Sequence, residues 1–101
     1  MTIFWTEPGL DDLQAIRDYI ARDSETYAGD FVENILSAVE RLSTFPRIGR
    51  VVPEADVPDI RELIFRGYRI MYRVDQDVVQ VLAVIHGCRD IARMPLKPWE
   101  I

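Results

Sequence analysis

The run from Val78 to Ile85 restricts the fold more than any other segment, because it is apolar at every position except Gln80. An apolar run of this kind is typical of a strand that is covered on both faces, which predicts a central place in a sheet. Residues 60–65 and 68–74 are two further strand-like segments, and Arg66-Gly67 between them has the composition of a two-residue hairpin turn. Together the three segments predict an antiparallel meander.

The N-terminal part of the chain has a different periodicity. Residues 2–6 are β-branched and aromatic and predict a short strand, and Pro8 then stands where the first turn of a helix tolerates it. Apolar residues next recur at helical spacing in two stretches, one ending near Arg22 and one running from the N-cap candidate Ser24 to Phe45. The two apolar stripes consist of Leu10, Leu13, Ile16 and Ile20, and of Tyr27, Phe31, Ile35, Ala38, Val39 and Leu42. Two amphipathic helices joined so closely predict an antiparallel hairpin.

A chain of 101 residues with 49% hydrophobic content can build one core. We therefore expect a single α+β domain over residues 1–101, in which an N-terminal strand and an antiparallel helical hairpin pack on a C-terminal antiparallel β-meander. Residues 46–59 are rich in Pro and Gly and predict a long loop, of the kind that often carries function. Residues 91–101 form a tail whose two prolines exclude a regular helix, so we expect it to run extended over the surface or along an edge.

Several classes of function are disfavoured by what the sequence contains. No stretch approaches the roughly 20 apolar residues of a membrane span, and the N-terminus lacks the features of a signal peptide, so we expect a cytoplasmic protein without a membrane partner. Cys88 is the single cysteine and His86 the single histidine, which is too few soft ligands for a zinc site. Because no nucleophile elbow, phosphate-binding glycine loop or metal-ligand pair is present either, we expect no metal and no cofactor.

Charge is divided unevenly along the chain. Residues 1–40 carry a net charge of −7 and residues 41–101 a net charge of +2, within a total of −5. An acidic total disfavours nonspecific binding of nucleic acid, which depends on Lys and Arg neutralising phosphates. Eleven of the twelve basic residues are Arg, the planar donor preferred in ion pairs and at interfaces. The division predicts two faces with different partners.

The arginines of the strand-rich half are the candidate functional residues. Arg61, Arg69 and Arg73 alternate with apolar residues on adjacent predicted strands, and residues 69 and 73 share a face because strand side chains repeat every two positions. His86 and Arg89 follow directly from the last predicted strand. This set predicts a surface that binds a phosphodiester or an acidic partner, with one imidazole that can carry a proton.

A plainer interpretation treats the same residues as part of the fold. Arginines on a half-exposed strand commonly form cross-strand ion pairs, and Glu62 would then pair with Arg61 instead of acting as a general base. His86 would be a hydrogen-bonded residue at the end of its strand. The residues alone leave both interpretations open.

Five segments follow one another along the chain: Trp5-Thr6 with Asp12-Leu13, Ile16 and Tyr19-Ile20-Ala21; Leu42 with Phe45-Pro46-Arg47-Ile48-Gly49-Arg50; Arg61-Glu62-Leu63; Tyr68-Arg69-Ile70-Met71-Tyr72-Arg73-Val74; and His86-Gly87-Cys88-Arg89-Asp90. With them, the chain from Phe4 to Asp90 resembles the toxins of the RelE/ParE superfamily of bacterial type II toxin-antitoxin systems. The resemblance implies the order strand, two helices and three-stranded meander. It also implies one of two activities, since RelE-like toxins cleave messenger RNA on the ribosome, whereas ParE-like toxins are not nucleases and poison DNA gyrase.

Residues at the family's functional positions distinguish these branches. The ribonuclease branch implies basic residues on the first meander strand, arginines in the positions of Arg69 and Arg89, and a tyrosine near the C-terminus. Here Glu62 stands where that branch carries a lysine, and Met94 occupies the region of the terminal tyrosine. These departures favour a ParE-like, non-enzymatic toxin that inhibits DNA gyrase and is neutralised by a cognate antitoxin. They do not decide the question, because related ribonucleases use a Glu and a His instead of those residues.

Two alternatives stay open. A ribosome-dependent mRNA endoribonuclease would use Arg69, Arg89 and His86 as catalytic residues at a cyclising 2′-hydroxyl. A non-toxic binding module would keep only the partner surface. An antitoxin is expected to cover an exposed apolar groove along the helical hairpin and the sheet edge. The predicted partner-binding residues are Arg61, Glu62, Arg69, Arg73 and Arg89.

Overall fold

The computed structural model describes residues 1–100 and confirms the α+β class. Its helices and strands, in chain order, are β1 Thr2–Trp5, α1 Glu7–Ala21, α2 Glu25–Glu40, β2 Arg50–Val51, β3 Ile60–Phe65, β4 Tyr68–Asp75 and β5 Val78–His86. The strands form one sheet in the order β1-β5-β4-β3-β2, with β1 parallel to β5 and the other pairs antiparallel. The apolar strand β5 is therefore paired on both sides, as its sequence predicts.

Side-chain hydroxyls cap the start of each helix, and a glycine allows α1 to approach the sheet closely. Thr6 Oγ1 accepts a hydrogen bond from the Gly9 N–H at 3.2 Å, and Ser24 Oγ accepts one from the Tyr27 N–H at 3.1 Å. The Thr6 hydroxyl also donates to the Val81 carbonyl oxygen at 2.8 Å. A Cβ on Gly9 would lie 2.6 Å from that same oxygen, so glycine is what lets α1 start directly against β5.

The main core lies between the two helices and one face of the sheet. The ring of Phe31 on α2 meets the rings of Phe65 and Tyr68 edge to face, at centroid distances of 5.7 and 5.4 Å. These contacts hold the β3–β4 hairpin against α2 and place Tyr68 beside the end of β5. The buried members of this core are Leu13, Phe31, Ile35, Val39, Leu42, Ile70, Tyr72, Val74, Val79, Val81 and Val84.

A smaller core covers the opposite face of the sheet, and the tail supplies part of it. The tail contains the 3₁₀ turns Ile91–Arg93 and Pro98–Glu100, and Ile91 is buried against the sheet residues of this core while Trp99 packs at its side. The prediction of an extended tail is wrong, because these apolar side chains draw the tail onto the sheet in short turns. Ile101, the last residue of the predicted tail, lies outside the described residues.

Two element boundaries also differ from the prediction. The second helix was predicted to run to Phe45 but ends at Glu40, and the 3₁₀ turn Arg41–Ser43 follows it. The segment predicted as a loop contains the edge strand β2, in which Arg50 pairs with Glu62 of β3. A strand of two residues is too short for alternation to reveal it in a sequence.

Candidate functional site

Four charged residues form a connected group that we call the carboxylate–arginine cluster: Arg50, Glu54, Glu62 and Arg69. Arg69 Nε donates to Glu62 Oε1 at 2.6 Å, and its two terminal nitrogens donate to Glu54 at 2.9 and 2.7 Å. Arg50 Nε donates to the second oxygen of Glu62 at 2.6 Å. Each nitrogen of the Arg69 guanidinium therefore already has a carboxylate acceptor.

Burial makes this cluster part of the fold. The Glu62 side chain is 0% and the Arg69 side chain 9% exposed, whereas Glu54 is 34% exposed. The hydrogen bonds from Arg69 lower the pKa of Glu54 from 4.5 to about 2, and the bond to Glu54 raises the pKa of Arg69. With Arg50 the cluster holds two positive and two negative charges, so it presents no net cation.

Acid is expected to weaken the fold through Glu54. Because the pKa of this group lies at 4.5 ordinarily and at about 2 in the folded protein, its contribution to stability is complete above pH 4.5 and is lost as the pH falls toward 2. Its partial exposure limits that contribution to about 1–2 kcal/mol. Urea unfolding across this pH range should show a flatter profile for Glu54→Gln than for the wild type, with Glu33→Gln as the exposed control. A Glu54→Gln profile parallel to that of the wild type would contradict this.

Arg61 holds backbone instead of a carboxylate. It lies on the helix side of the sheet and donates to the carbonyl oxygens of Pro58 and Gly49, each at 2.9 Å. The predicted pairing of Glu62 with Arg61 is wrong, because adjacent side chains of β3 point to opposite faces and Glu62 turns to Arg69. Arg61 therefore fastens the segments on both sides of β2.

Arg73 lies on the same face as Arg69, as their spacing predicts. Its guanidinium donates to Gln80 Oε1 at 3.4 Å and to the carbonyl oxygen of Trp99. Arg73 thus joins the tail to the centre of the sheet and is directed toward the protein's own backbone.

His86 and Arg89 lie elsewhere, in a cleft of about 540 Å³ between α1 and the end of β5. Tyr19 and Tyr68 form part of its walls, and the Tyr68 ring meets the imidazole edge to face at 5.4 Å. His86 Nδ1 accepts a hydrogen bond from the Cys88 N–H at 3.1 Å, so Nε2 carries the hydrogen of the neutral ring. The cleft therefore offers an imidazole N–H and a guanidinium beside aromatic surfaces.

Asp12 supplies the acidic group of this cleft. Its carboxylate accepts the Val84 N–H at 3.0 Å. Burial raises the pKa of Asp12, while the bond from Val84 and the charge of Arg89 act in the opposite direction. Asp12 is half-buried, because the end of β5 covers that side of α1. The cleft can thus bind a group that both accepts and donates hydrogen bonds.

The structure does not bring Arg69 together with His86 and Arg89. Tyr68 packs into the helix-side core and against His86, so the next residue of β4, Arg69, points to the opposite face of the sheet. Of the three residues predicted as a catalytic set for RNA, Arg69 and His86 therefore lie on opposite faces of the sheet, and Arg89 borders cavities on both sides of β5.

Glu54 and Tyr19 are site residues that the sequence did not predict. Glu54 lies in an irregular segment and reaches Arg69 from 15 residues away, a pairing that no periodicity reveals. Tyr19 is 65% exposed on α1, and an aromatic residue outside the apolar stripe is the one signal that could have identified it.

The described residues contain few other features of a ligand site. Within residues 1–100, no group of three or more His, Cys, Asp or Glu side chains is arranged to hold a metal ion. Over the same residues, every buried side-chain nitrogen and oxygen has a hydrogen-bond partner. None of the helices in this part of the chain has the length and apolar character needed to cross a membrane.

Comparisons with known proteins agree with one another. A family model described as "ParE toxin of type II toxin-antitoxin system, parDE" matches residues 3–91. Toxin RelE2 of Caulobacter vibrioides is 32% identical over 88 residues, which cover 86% of this chain and 96% of that protein. Toxin ParE3 of the same bacterium is 29% identical over 89 residues, which cover 86% and 87%. A solved structure of a chromosomal ParDE TA system from P. aeruginosa matches with a TM-score of 0.71 and 27% identity, over 85% of this chain and 95% of that chain.

Proposed function

Because the chain belongs to the ParE toxin family of type II toxin-antitoxin systems, we propose that it inhibits DNA gyrase through a protein contact. The chain is the toxin of such a system, and the family implies an antitoxin as its partner. The relatives carry both RelE and ParE names, so the names alone do not choose between gyrase and the ribosome as target. The charges of the candidate site favour gyrase.

Neutralisation of Arg69 is the observation that carries this proposal. A ribonuclease must present free cations or donors to the charge that develops on the phosphate in its transition state. Here Glu54 and Glu62 accept hydrogen bonds from all three nitrogens of Arg69. Displacing them with an RNA phosphate would leave the fully buried Glu62 short of a partner, at considerable cost. The net charge of −5 also disfavours an RNA substrate.

A ribosome-dependent ribonuclease is the second candidate, and the cleft is the observation in its favour. His86 and Arg89 both line the cleft, where an imidazole can transfer a proton and a guanidinium can bind a phosphate without help from Arg69. This activity would need a catalytic set on the helix side of the sheet. The non-toxic binding module is the third candidate and would have neither activity.

Of the predicted partner-binding residues, Arg89 is the one whose guanidinium has no ion pair or hydrogen bond within residues 1–100. It is therefore available to an acidic group of an antitoxin, at the mouth of the cleft. The other four predicted partner-binding residues, Arg61, Glu62, Arg69 and Arg73, instead bond to groups of this chain. We place the activity in the cytoplasm, because gyrase and the ribosome both act there.

The purified protein is expected to block negative supercoiling of relaxed plasmid by bacterial DNA gyrase and to accumulate cleaved DNA complexes. A gel-based titration of the protein measures both effects, and a translating extract with labelled message is run in parallel. Normal supercoiling at saturating protein would exclude gyrase inhibition. Cleavage of the message would then support the ribonuclease, whereas an intact message and unimpaired growth on induction would support the binding module.

A further inference from the structure

The loop after α2 displays two large apolar side chains to solvent. Phe45 is 59% and Ile48 60% exposed, and the segment from Thr44 to Ile48 borders a shallow hollow of about 450 Å³. We call the surface of Phe45, Pro46 and Ile48 the loop patch. Single apolar residues on a surface need no explanation, but neighbouring ones that border a hollow mark interaction sites.

The backbone beneath the loop patch is firmly held. The Phe45 N–H donates to the Arg41 carbonyl oxygen at 2.9 Å, and the Ile48 N–H donates to the Phe45 carbonyl oxygen at 3.2 Å. The Gly49 N–H donates to the buried hydroxyl of Tyr72 at 3.0 Å. Since the segment is already ordered, the exposure of its apolar side chains does not reflect a loose loop, and binding a partner would cost little further conformational entropy.

Uncompensated positive charge lies beside the loop patch. Residues 41–53 contain no acidic residue. Within residues 1–100, Arg41 has no ion pair, and the guanidinium of Arg61 bonds only to carbonyl oxygens, so neither charge is neutralised. Residues 1–40, in contrast, carry a net charge of −7. The complement of the loop patch is therefore an acidic protein surface with a place for apolar anchors.

We propose that the loop patch is the contact through which this protein binds an acidic, apolar surface of DNA gyrase, an inference that rests on the gyrase inhibition proposed above. Hot spots of interfaces are compact and combine rigid apolar or aromatic anchors with arginines. A hollow bordered by one short segment fits a single anchor point on a large, preformed partner. An antitoxin that folds onto its toxin covers a more extended surface, and the cleft with Arg89 shares no residue with the loop patch.

The double variant Phe45→Ala/Ile48→Ala tests this contact. We expect the concentration for half-inhibition of supercoiling to rise roughly thirtyfold, as for the loss of two interface anchors. The matched control is Ile64→Ala/Leu96→Ala, whose side chains are 58% and 57% exposed on other parts of the surface. The control is expected to inhibit like the wild type. Circular dichroism and urea unfolding of all the variants establish that each is folded.

A charge variant tests the same contact without removing apolar surface. Arg41→Glu is expected to weaken gyrase inhibition roughly tenfold at low salt and to reduce its salt dependence. The matched control is Arg22→Glu, which makes the same charge change at the opposite end of the helical hairpin and should inhibit like the wild type.

The outcomes separate the two proposals. If the wild type does not inhibit gyrase, both are overturned. If the wild type inhibits gyrase and the loop-patch double variant is equally potent, or if both double variants lose potency alike, the loop patch is not the contact and the proposed function stands. Two other results would overturn the inference if the loop-patch variant still inhibits gyrase. One is a concentration-dependent dimer in sedimentation that only this variant abolishes, which would assign the patch to a second copy of the chain. The other is a selective loss of neutralisation by a co-expressed antitoxin, which would assign the patch to the antitoxin.

Discussion

Replacing Glu62 with alanine is expected to lower the free energy of unfolding by about 3 kcal/mol. Glu62 is fully buried and accepts hydrogen bonds from Arg69 and Arg50 at 2.6 Å each. Its removal leaves the buried guanidinium of Arg69 with Glu54 alone, and it also leaves a cavity. The loss lies at the low end of the range for buried ion pairs because Glu54 still neutralises Arg69. Urea unfolding at neutral pH measures it.

Two variants separate the buried charge from the lost packing. Glu62→Leu/Arg69→Met removes both buried charges at similar volume and should cost much less than Glu62→Ala. Glu54→Ala removes the partner that is 34% exposed and should cost about 1–2 kcal/mol. If the double variant is as unstable as Glu62→Ala, the buried charge is not the cause of the instability.

Replacing Gly49 with alanine is expected to cost about 2–3 kcal/mol. A Cβ at this position would lie 2.5 Å from the backbone oxygen of Glu62 and 2.6 Å from the Tyr72 hydroxyl. The backbone of β3 cannot give way easily, because β3 is paired with β4 along its whole length. The loop must move instead, which weakens the hydrogen bond from the Gly49 N–H to the Tyr72 hydroxyl. Thermal and urea unfolding measure the loss.

Gly29 provides the matched control for this substitution. It lies within α2, and a Cβ there would have nothing within 4 Å. Gly29→Ala should therefore stabilise the protein by about 0.5–1 kcal/mol, because alanine favours the helix and restricts the unfolded chain. A Gly49→Ala variant as stable as the wild type would show that the loop adapts to the extra methyl group. Gly49 would then not determine the position of the loop patch.

The sequence by itself was sufficient for the two helices, the four longer strands and their order. The turn at Arg66-Gly67 has φ values of 48° and 83°, both positive, as the two-residue hairpin turn predicted there requires. Ser24 caps the second helix as predicted, and the apolar run of β5 is paired on both sides. These signals act between residues close in sequence, so composition and periodicity carry them. The family resemblance depends on the order of the segments, so it could also be recognised from the sequence, and it is confirmed.

Only the tertiary structure decided what the charged residues do. The sequence could place Arg69 on a strand, but its acceptors Glu62 and Glu54 lie 7 and 15 residues away. Asp12 reaches the Val84 N–H across 72 residues of sequence. Such pairs depend on how elements pack, and local periodicity contains no record of that packing. For this reason the separation of Arg69 from His86 by the sheet could not be predicted from the sequence.

The exposed fraction of each apolar side chain could not be predicted from the sequence either. Phe31 is 2% exposed and Phe45 59%, although both belong to the segment predicted as the second helix. The difference arises because Phe31 lies beneath the β3–β4 hairpin, whereas Phe45 follows the end of the helix, in a loop held by distant groups. An apolar residue is buried only when another element covers it, and that is decided by the assembled fold. The sequence therefore determined the two helices, the four longer strands and the family, and the tertiary structure determined which surfaces remain for a partner.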